Sequence, residues 1–309
     1  MRRRTFLRAS AAAVAALATT GAALRAARAP AKGGLRISCS SLAFSDMGWE
    51  EALELMRKQG FRCAELAMFE GWTHVDPSRL DDPEAHGKKI AEASKRIGIE
   101  AVCIHANFAP GVDRGSFPGI TTPDEKLRDA VVEHCARVIR CARAAGIPLV
   151  NVQPGRFVAG EPRERSIERA TRVLRKMMAS AREHEVRLSF ENHTGSLGER
   201  PGDVLALLEG VEGLELDYDL SHVVANSITV EQSRPLLPRV GHVAIRNARP
   251  GDYGLPVEGG ELAFDLGPYL AALRDAGVEG HIAVEYFKPE QRPDNLRLKA
   301  ILEKLGVAL

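Results

Sequence analysis

Residues 186–222 read VRLSFENHTGSLGERPGDVLALLEGVEGLELDYDLSH. Two short apolar runs flank a helical pattern in this stretch, which predicts a strand, a helix and a second strand. The first run ends at Glu191 and the second at Asp219. A third apolar run near the C-terminus, HIAVEYF, carries Glu285 in the corresponding place. Three predicted strands therefore carry a carboxylate at their C-terminal ends.

The alternation of strand and helix continues along the chain. Amphipathic segments separate eight strand-like runs: LRISCS, FRCAELAM, EAVCIHA, PLVNVQ, VRLSFE, LELDYD, HVAIRN and HIAVEYF. Such alternation favours a parallel α/β sheet, and eight repeats in about 280 residues favour a single (β/α)₈ TIM barrel. The segment after the first strand, SCSSLAFSDMGW, lacks the glycine-rich fingerprint of an open dinucleotide-binding sheet. In a barrel the three carboxylates lie at the end where active sites are built.

The composition is that of an ordinary globular protein. The chain has 309 residues, of which 45% are hydrophobic and 27% charged. Its formal net charge is +1, and no long run of one sign follows the N-terminal segment. The basic field typical of nucleic-acid-binding proteins is absent. We therefore expect a small-molecule partner and no nucleic acid.

The N-terminal segment predicts an export signal. RRTFLR (residues 3–8) is followed by an Ala-rich apolar stretch at 9–24, and this order resembles a twin-arginine (Tat) signal. An amphipathic helix or a membrane anchor is the alternative, but the stretch is short, so we expect no stable membrane span. We expect residues 1–31 to be cleaved, with several candidate cleavage sites, and residues 32–309 to form the barrel. The mature protein is then periplasmic or extracellular.

The five cysteines do not predict disulfides. Cys39, Cys63 and Cys103 lie in successive strand runs, and Cys135 and Cys141 lie on one predicted helix. No pair has CxxC spacing, and residues six apart on a helix point in different directions. We expect buried structural thiols.

Two connections that start at strand C-termini are long. They cover residues 68–82 and 107–123 and should overhang the site. Long loops of this kind are either lids or ordinary crossovers. Their starting points favour lids.

The three carboxylates imply a counter-charge. Several acids at one barrel mouth repel one another unless a cation lies among them. Oxygen ligands with one imidazole suit Mn²⁺, Mg²⁺ or Co²⁺. The same carboxylates can move protons, with one Glu abstracting a proton from carbon and the other returning it.

Each candidate side chain also has a purely structural interpretation. Asp219 can cap the following helix, and His105 can be a core histidine. Asn192 and His193 can be turn residues, and Arg246 can be a surface cation. Ionisable groups at the same relative place on four strands nevertheless favour a functional cluster.

Several of these segments resemble a known family. LSFENHTG, RPGDVLALLEGV and LELDYDLSH are similar to the xylose isomerase-like TIM-barrel family of sugar phosphate isomerases and epimerases, and the likeness runs from ISCSSLAF to AVEYF. The resemblance implies that Glu191, Asp219 and Glu285 bind metal, that His222 contacts substrate, and that the two glutamates form an acid/base pair. CAEL and CIHANF resemble the family's second and third strands, which implies that Glu65 and His105 also belong to the site.

The seventh strand departs from the family. The family commonly reads His-x-His-x-Lys-Asp there, with the second His on the metal, whereas this chain has Ala244 at that place. His242 lies one inward position deeper than Ala244. Arg246 lies one inward position further out and replaces the usual Lys.

Two arrangements of the cation follow from this departure. Glu191, Asp219 and Glu285 can hold a metal with waters, completed by His222 or Gln153. Alternatively, the Arg246 guanidinium takes the place of the metal and pairs with Glu191 or Glu285. A fixed guanidinium can stabilise a developing oxyanion.

The resemblance and the carboxylates together predict an exported isomerase- or epimerase-like enzyme. It would move a proton next to a carbonyl of a sugar or keto-sugar through Glu191 and Glu285. The expected substrate-binding side chains are His222, His105, Glu65, Arg246 and Gln153. The alternatives are a keto-glycoside lyase or hydrolase using the same site, and a non-catalytic sugar-binding barrel whose metal site is degraded at Ala244.

Overall fold

Eight parallel strands close into a barrel in the computed structural model, which describes residues 34–108 and 119–309. The barrel strands are β1 Leu35–Ser40, β2 Cys63–Phe69, β3 Glu100–Asn107, β4 Leu149–Val152, β5 Arg187–Glu191, β6 Glu215–Asp219, β7 Val240–Ile245 and β10 Gly280–Val284. Around the barrel the order is β1, β10, β7, β6, β5, β4, β3, β2. Because β1 pairs with both β2 and β10, the barrel is closed. The predicted TIM-barrel fold is confirmed.

Helices follow the strands on the outside of the barrel, as the sequence predicts. They are α1 Trp49–Lys58, α2 Pro83–Ile97, α3 Glu125–Ala145, α4 Arg163–Glu183, α5 Pro201–Gly210, α6 Leu220–Ala225, α7 Val230–Ser233, α8 Gly267–Asp275 and α9 Arg292–Lys304. None of the helices in the described part of the chain combines the length and the apolar character needed to cross a membrane.

The ends of α3 show how local sequence sets these boundaries. The Asp124 carboxylate accepts hydrogen bonds from the backbone N–H groups of Lys126 and Leu127, so it satisfies donors that the first turn leaves free. Gly146 ends the helix with φ 72°, a left-handed conformation that glycine adopts at little cost. Local sequence thus fixes both ends of this helix.

The barrel strands are buried along most of their length, and β2 and β7 are buried at every residue. This burial on both faces is expected for a parallel sheet covered by helices. All five cysteines are free and buried. The prediction of buried structural thiols is confirmed.

A polar layer fills part of the barrel interior below the mouth. Asn151 Nδ2 donates a hydrogen bond to Asp217 Oδ2 at 2.6 Å, and Ser189 Oγ donates one to Asn151 Oδ1 at 3.1 Å. Burial, together with the nearby Glu65 carboxylate, raises the pKa of Asp217 well above its usual value. These side chains come from β4, β5 and β6, so strand alternation places polar groups inside the barrel at this depth.

An antiparallel hairpin after β7 was not predicted. It consists of β8 Asn247–Arg249 and β9 Asp252–Leu255. Asn247 Nδ2 donates to the backbone oxygen of Pro256 at 2.7 Å, and Tyr286 Oη donates to that of Leu255 at 2.9 Å. These bonds hold the hairpin over the end of the barrel.

The contact between α2 and α3 depends on a glycine. A Cβ atom at Gly87 would lie 2.3 Å from the Cys141 carbonyl oxygen and 2.7 Å from Ala144 Cβ. We expect Gly87→Ala to lower the free energy of unfolding by about 1–3 kcal/mol, because overpacking outweighs the gain in helix propensity. Urea denaturation measures the change. Gly202→Ala is the control, since that site in α5 has no atom within 4 Å and the substitution should leave stability equal or slightly higher. An equal effect at both sites would contradict the role of this contact.

Candidate active site

The C-terminal ends of the barrel strands surround a cavity of about 220 Å³. Six of the side chains singled out in the sequence line it: His105, Gln153, Glu191, His193, Arg246 and Glu285. Aromatic side chains form much of its wall: Phe69, Trp72, Phe108, Tyr253 and Phe287. Apolar walls around a few polar groups are typical of small-molecule sites. The cavity also lies at the end of the barrel where active sites occur.

His105 lies between the two glutamates. Its Nδ1 atom is 3.1 Å from Glu285 Oε1, and its Nε2 atom is 3.5 Å from Glu191 Oε2. Burial by itself lowers the pKa of His105, but the two carboxylates outweigh burial and raise this pKa well above its usual value. The imidazole, which the sequence left open as a core histidine, therefore connects carboxylates from opposite parts of the barrel mouth.

Glu191 combines burial with contacts to neutral and cationic groups. Burial raises the pKa of its carboxyl to about 8, although His105 lowers it in part. Gln153 Nε2 donates a hydrogen bond to Glu191 Oε2. A carboxyl group with a pKa near neutrality can take or give a proton in neutral solution.

Arg246 extends into the group of carboxylates and is only 4% exposed. Its Nη2 atom donates to Asp219 Oδ2 at 2.5 Å and lies 3.8 Å from Glu285 Oε2. The sequence suggested Glu191 or Glu285 as its partner, and the structure makes Asp219 the main one. The reason is the register of the sheet, in which Asp219 of β6 lies opposite Ala244 of β7.

Asp219 is both the partner of Arg246 and the N-cap of α6. Its Oδ1 atom accepts hydrogen bonds from the backbone N–H groups of Ser221 at 2.7 Å and His222 at 3.3 Å, and from the Ser221 hydroxyl. Burial alone raises the pKa of Asp219, but Arg246, His222 and Ser221 pull it well below its usual value. The capping interpretation and the functional one therefore describe the same carboxylate.

Asn192 ties the ends of two strands together. Its Nδ2 atom donates to the Asp219 carbonyl oxygen at 3.0 Å, and its Oδ1 atom accepts from the Asp219 N–H at 2.9 Å. This pair of hydrogen bonds fixes the end of β5 against the end of β6. Asn192 is thus more than a turn residue, since it sets the separation of Glu191 and Asp219.

His222 is buried behind the cavity wall. Its Nε2 atom accepts a hydrogen bond from Arg246 Nη2 at 2.9 Å, and its Nδ1 atom is 3.0 Å from Thr194 Oγ1. Burial lowers the pKa of His222 well below its usual value; Asp219 opposes this effect and Arg246 adds to it. Its ring packs against those of His193 and Tyr253, with centroids 4.0 Å and 4.3 Å away. His222 Nε2 also lies 3.6 Å from Glu191 Oε1, so His222 contacts two of the side chains that line the cavity, Arg246 and Glu191.

Glu65 lies deeper in the barrel than the other candidates. Its Oε2 atom is 2.9 Å from His242 Nε2, and its Oε1 atom is 4.0 Å from His105 Nδ1. Burial raises the pKa of Glu65, but the contacts with His242 and His105 outweigh it and lower the pKa below its usual value. Glu65 is not among the side chains that line the cavity, and its carboxylate supports His105 from below.

Buried clusters of histidine and carboxylate side chains could hold a metal ion by their distances. Ligand atoms of Glu191, Asp219 and Glu285 all lie within 4.8 Å of one another. The same holds for three other groups: Glu65 with His105 and Glu285, Glu65 with Cys103 and His242, and Glu191 with His193 and His222. The strand-end group fits a metal poorly in this conformation, because Arg246 donates to both Asp219 and His222 and lies between Asp219 and Glu285.

Sequence reasoning missed several side chains of the site. Tyr253 of β9 lines the cavity and lies 5.3 Å from the Arg246 guanidinium carbon, measured to the ring centroid. Thr194 holds the His222 ring, and its hydroxyl also donates to Asn226 Oδ1 at 3.2 Å. A Pro-Gly turn before an aromatic residue, in RPGDYG, was the available signal for the hairpin that carries Tyr253.

The two long connections contribute to the cavity where they are described. Trp72, from residues 68–82, lines it, as do Phe108, Gly119 and Ile120 from the second connection. Residues 109–118, which contain the centre of the second predicted lid, lie outside the described residues. The predicted export signal at residues 1–31 also lies outside them.

Known structures share this architecture. A D-tagatose 3-epimerase-like protein matches with a TM-score of 0.71 and 20% identity over 88% of this chain and 97% of the other. The 3-keto-D-glucoside 4-epimerase of E. coli matches with a TM-score of 0.69 and 15% identity over 87% of this chain and 99% of the other. The IOLI protein with a binding zinc atom matches with a TM-score of 0.68 and 17% identity over 88% of this chain and 98% of the other. At these identities the likeness establishes the fold.

The sequence itself also matches a family model. No curated protein matches the chain. The model described as xylose isomerase-like TIM barrel matches residues 53–305, which is most of the chain. That match agrees with the closed barrel and with carboxylates at the ends of β5, β6 and β10. The chain belongs to the xylose isomerase-like TIM barrel family.

Proposed function

We propose that this chain is a sugar isomerase- or epimerase-like enzyme that moves a proton next to the carbonyl of a sugar or keto-sugar. The observation that carries the proposal is the placement of Glu191 and Glu285. Both line one cavity, both are nearly completely buried, and His105 contacts both carboxylates. Two carboxyl groups that face one small cavity suit a reaction in which one removes a proton from carbon and the other returns one.

The chemistry can be written as two proton transfers. One glutamate takes the proton from the carbon beside the carbonyl, and the electron pair of the broken C–H bond moves to the carbonyl oxygen to give an enediolate. The other glutamate then donates a proton to a carbon of the enediolate, and the carbonyl forms again. The developing negative charge needs a cation, and the Arg246 guanidinium is a candidate that lines the cavity. A divalent metal (Mn²⁺, Mg²⁺ or Co²⁺), which the sequence resemblance implied on Glu191, Asp219 and Glu285, would supply the same charge only if it displaced Arg246.

The cavity wall supports a sugar ligand. Trp72, Phe69, Tyr253 and Phe287 present ring surfaces to the cavity. Aromatic faces pack well against the C–H faces of a sugar ring, while its hydroxyl groups need the polar groups at the floor. His105, Gln153 and Arg246 supply such groups. The matching solved structures include sugar epimerases, which adds support to this substrate class.

A non-catalytic sugar-binding barrel is the second candidate, and Ala244 favours it. This position lies beside both Asp219 of β6 and Ala283 of β10 and offers no ligand atom. A keto-glycoside lyase or hydrolase that uses the same two acids differs only in the bond broken after proton removal. Product analysis separates these possibilities.

Solvent exchange tests the proton-transfer role. Wild-type protein is incubated in D₂O with a panel of ketoses and keto-glycosides, with and without added Mn²⁺, and products are analysed by NMR and mass spectrometry. We expect one substrate carbon to gain deuterium. Glu285→Gln and Glu191→Gln should each slow this exchange by about 10²–10⁴-fold, since each removes one proton carrier.

Glu258→Gln is the control, because Glu258 is exposed on the loop after the hairpin. It should exchange at the wild-type rate. Unchanged exchange in both site variants would refute the assignment of the two glutamates. Binding of a sugar without exchange or cleavage would establish the binding barrel, and release of an aglycone would establish the lyase or hydrolase.

We also propose that residues 1–31 are a cleaved twin-arginine signal that directs the protein to the periplasm or beyond. The RRTFLR segment and the following apolar stretch support this proposal. The double substitution of Arg3→Lys and Arg4→Lys should leave uncleaved precursor in the cytoplasm of a bacterial host, as measured by cell fractionation and immunoblotting. Arg8→Lys should leave export normal. Normal cleavage and export of the double variant would contradict the proposal.

A further inference from the structure

The position that faces the carboxylates from β7 carries only a methyl group. Ala244 is the register partner of Asp219 on one side and of Ala283 on the other, and Ala283 lies two residues before Glu285. Ala244 is buried, and it offers neither a nitrogen nor an oxygen to an ion. The strand between the two acids therefore supplies no metal ligand at this level.

Arg246 fills the same space from two residues further along the chain. Strand alternation returns its side chain to the inward face. Its Nη2 atom reaches Asp219 Oδ2 on one side and lies 3.8 Å from Glu285 Oε2 on the other. The guanidinium thus lies between the acids from the two strands that flank β7.

Both oxygens of Asp219 and the Nε2 atom of His222 already accept hydrogen bonds, whereas Glu285 Oε2 has no hydrogen-bond partner among the described residues. Asp219 Oδ1 accepts from Ser221 and His222, and Asp219 Oδ2 accepts from Arg246. The Nε2 atom of His222 accepts from Arg246 at 2.9 Å, so its lone pair points at the guanidinium. A metal ion in this space would have to displace a buried cation from two of its ligands.

The environment holds the guanidinium in place. Ser221 Oγ accepts a hydrogen bond from Nε at 3.1 Å, and the rings of Tyr253 and Phe287 lie 5.3 Å and 5.9 Å from the guanidinium carbon. Removing the side chain would leave buried carboxylates without a counter-charge, which is strongly unfavourable. Among the described residues no hydrogen bond uses Nη1, and Arg246 lines the cavity. As a side chain that lines the cavity, Arg246 can donate to an oxygen of a ligand there.

We propose that Arg246 is the resident cation of this site and stands where the family resemblance implied a divalent metal. The carboxylates at the strand ends, Glu191, Asp219 and Glu285, accordingly bind no divalent ion, and the guanidinium takes the carbonyl oxygen or oxyanion of the ligand. This inference goes beyond the proposed function, because it concerns the cation of the site and holds for a catalytic and for a non-catalytic barrel.

Metal binding measured without substrate tests the inference. The protein, freshly purified and then stripped with EDTA, is examined by elemental analysis and by calorimetric titration with Mn²⁺ and with Zn²⁺. We expect less than about 0.1 equivalent of metal on the purified wild type and no stoichiometric binding at micromolar concentrations. We also expect the same thermal midpoint in EDTA and in Mn²⁺, since a ligand that does not bind cannot shift unfolding. One tightly bound equivalent in the wild type, or a midpoint that falls in EDTA, would overturn the inference.

Two variants should bind the metal that the wild type does not bind. Arg246→Ala leaves Asp219 without its cationic partner and removes the more distant one of Glu285. We therefore expect a lower thermal midpoint in EDTA that rises by about 5 °C when Mn²⁺ is present at a hundredfold excess over its Kd. Combining Arg246→Ala with Ala244→His adds an imidazole between Asp219 and Glu285, and it should bind one equivalent of Mn²⁺ at least about tenfold more tightly than Arg246→Ala alone. Failure of both to bind, when folded, would contradict the claim that Arg246 occupies a metal position.

Arg249→Ala is the control. Arg249 lies in the neighbouring hairpin and is exposed, and its Nη2 atom is 3.9 Å from Asp252 Oδ2. This variant should neither bind metal nor change the midpoint. If Arg246→Ala does not fold, the wild-type titration decides alone. A metal-free wild type that exchanges no proton would retain this inference and refute the proposed enzyme, so the two failures are distinguishable.

Discussion

Repulsion among buried carboxylates is the constraint on which the site depends. Glu191, Asp219 and Glu285 are each at most 2% exposed, and ligand atoms of the three lie within 4.8 Å of one another. The barrel forces this proximity, because all of its parallel strands end on the same side. Away from water such charges must be matched inside the protein. Arg246 forms ion pairs with Asp219 and Glu285. His105 contacts Glu191 and Glu285, so the three acids share two cationic partners.

Asp219 connects the charge balance of the site to the backbone. One oxygen holds the first turn of α6 through the N–H groups of Ser221 and His222, and the other holds Arg246. The start of the helix and the position of the cation are thus fixed by one side chain. Asn192 adds two hydrogen bonds between the ends of β5 and β6. Geometry of this kind, with each ligand-facing group held by a second group, is what preorganises a binding or catalytic site.

The sequence predicted the barrel well because its signals are local. The runs VRLSFE and LELDYD correspond to strands Arg187–Glu191 and Glu215–Asp219, and each begins only one residue later than predicted. The end of the strand in HIAVEYF was predicted less well, since the strand ends at Val284 and Glu285 follows it. The hairpin after β7 was missed because its strands are short and lack alternating apolar residues, so periodicity gives no signal there. The contact of Arg246 with Glu285 was among the predicted pairs, but its closer partner Asp219 was not predicted, because the register between neighbouring strands cannot be read from either strand alone.

The sequence by itself determined the alternation of strands and helices, the carboxylates at the ends of three strands, and the absence of a ligand side chain at Ala244. The tertiary structure decided which charges meet. It placed His105 between Glu191 and Glu285, which lie 86 and 180 residues further along the chain, and it paired Arg246 with Asp219. The physical reason is that periodicity and strand-end position are properties of a few neighbouring residues. Contacts across the barrel depend on closure, on register and on the reach of each side chain, and these are fixed only when all eight strands have paired.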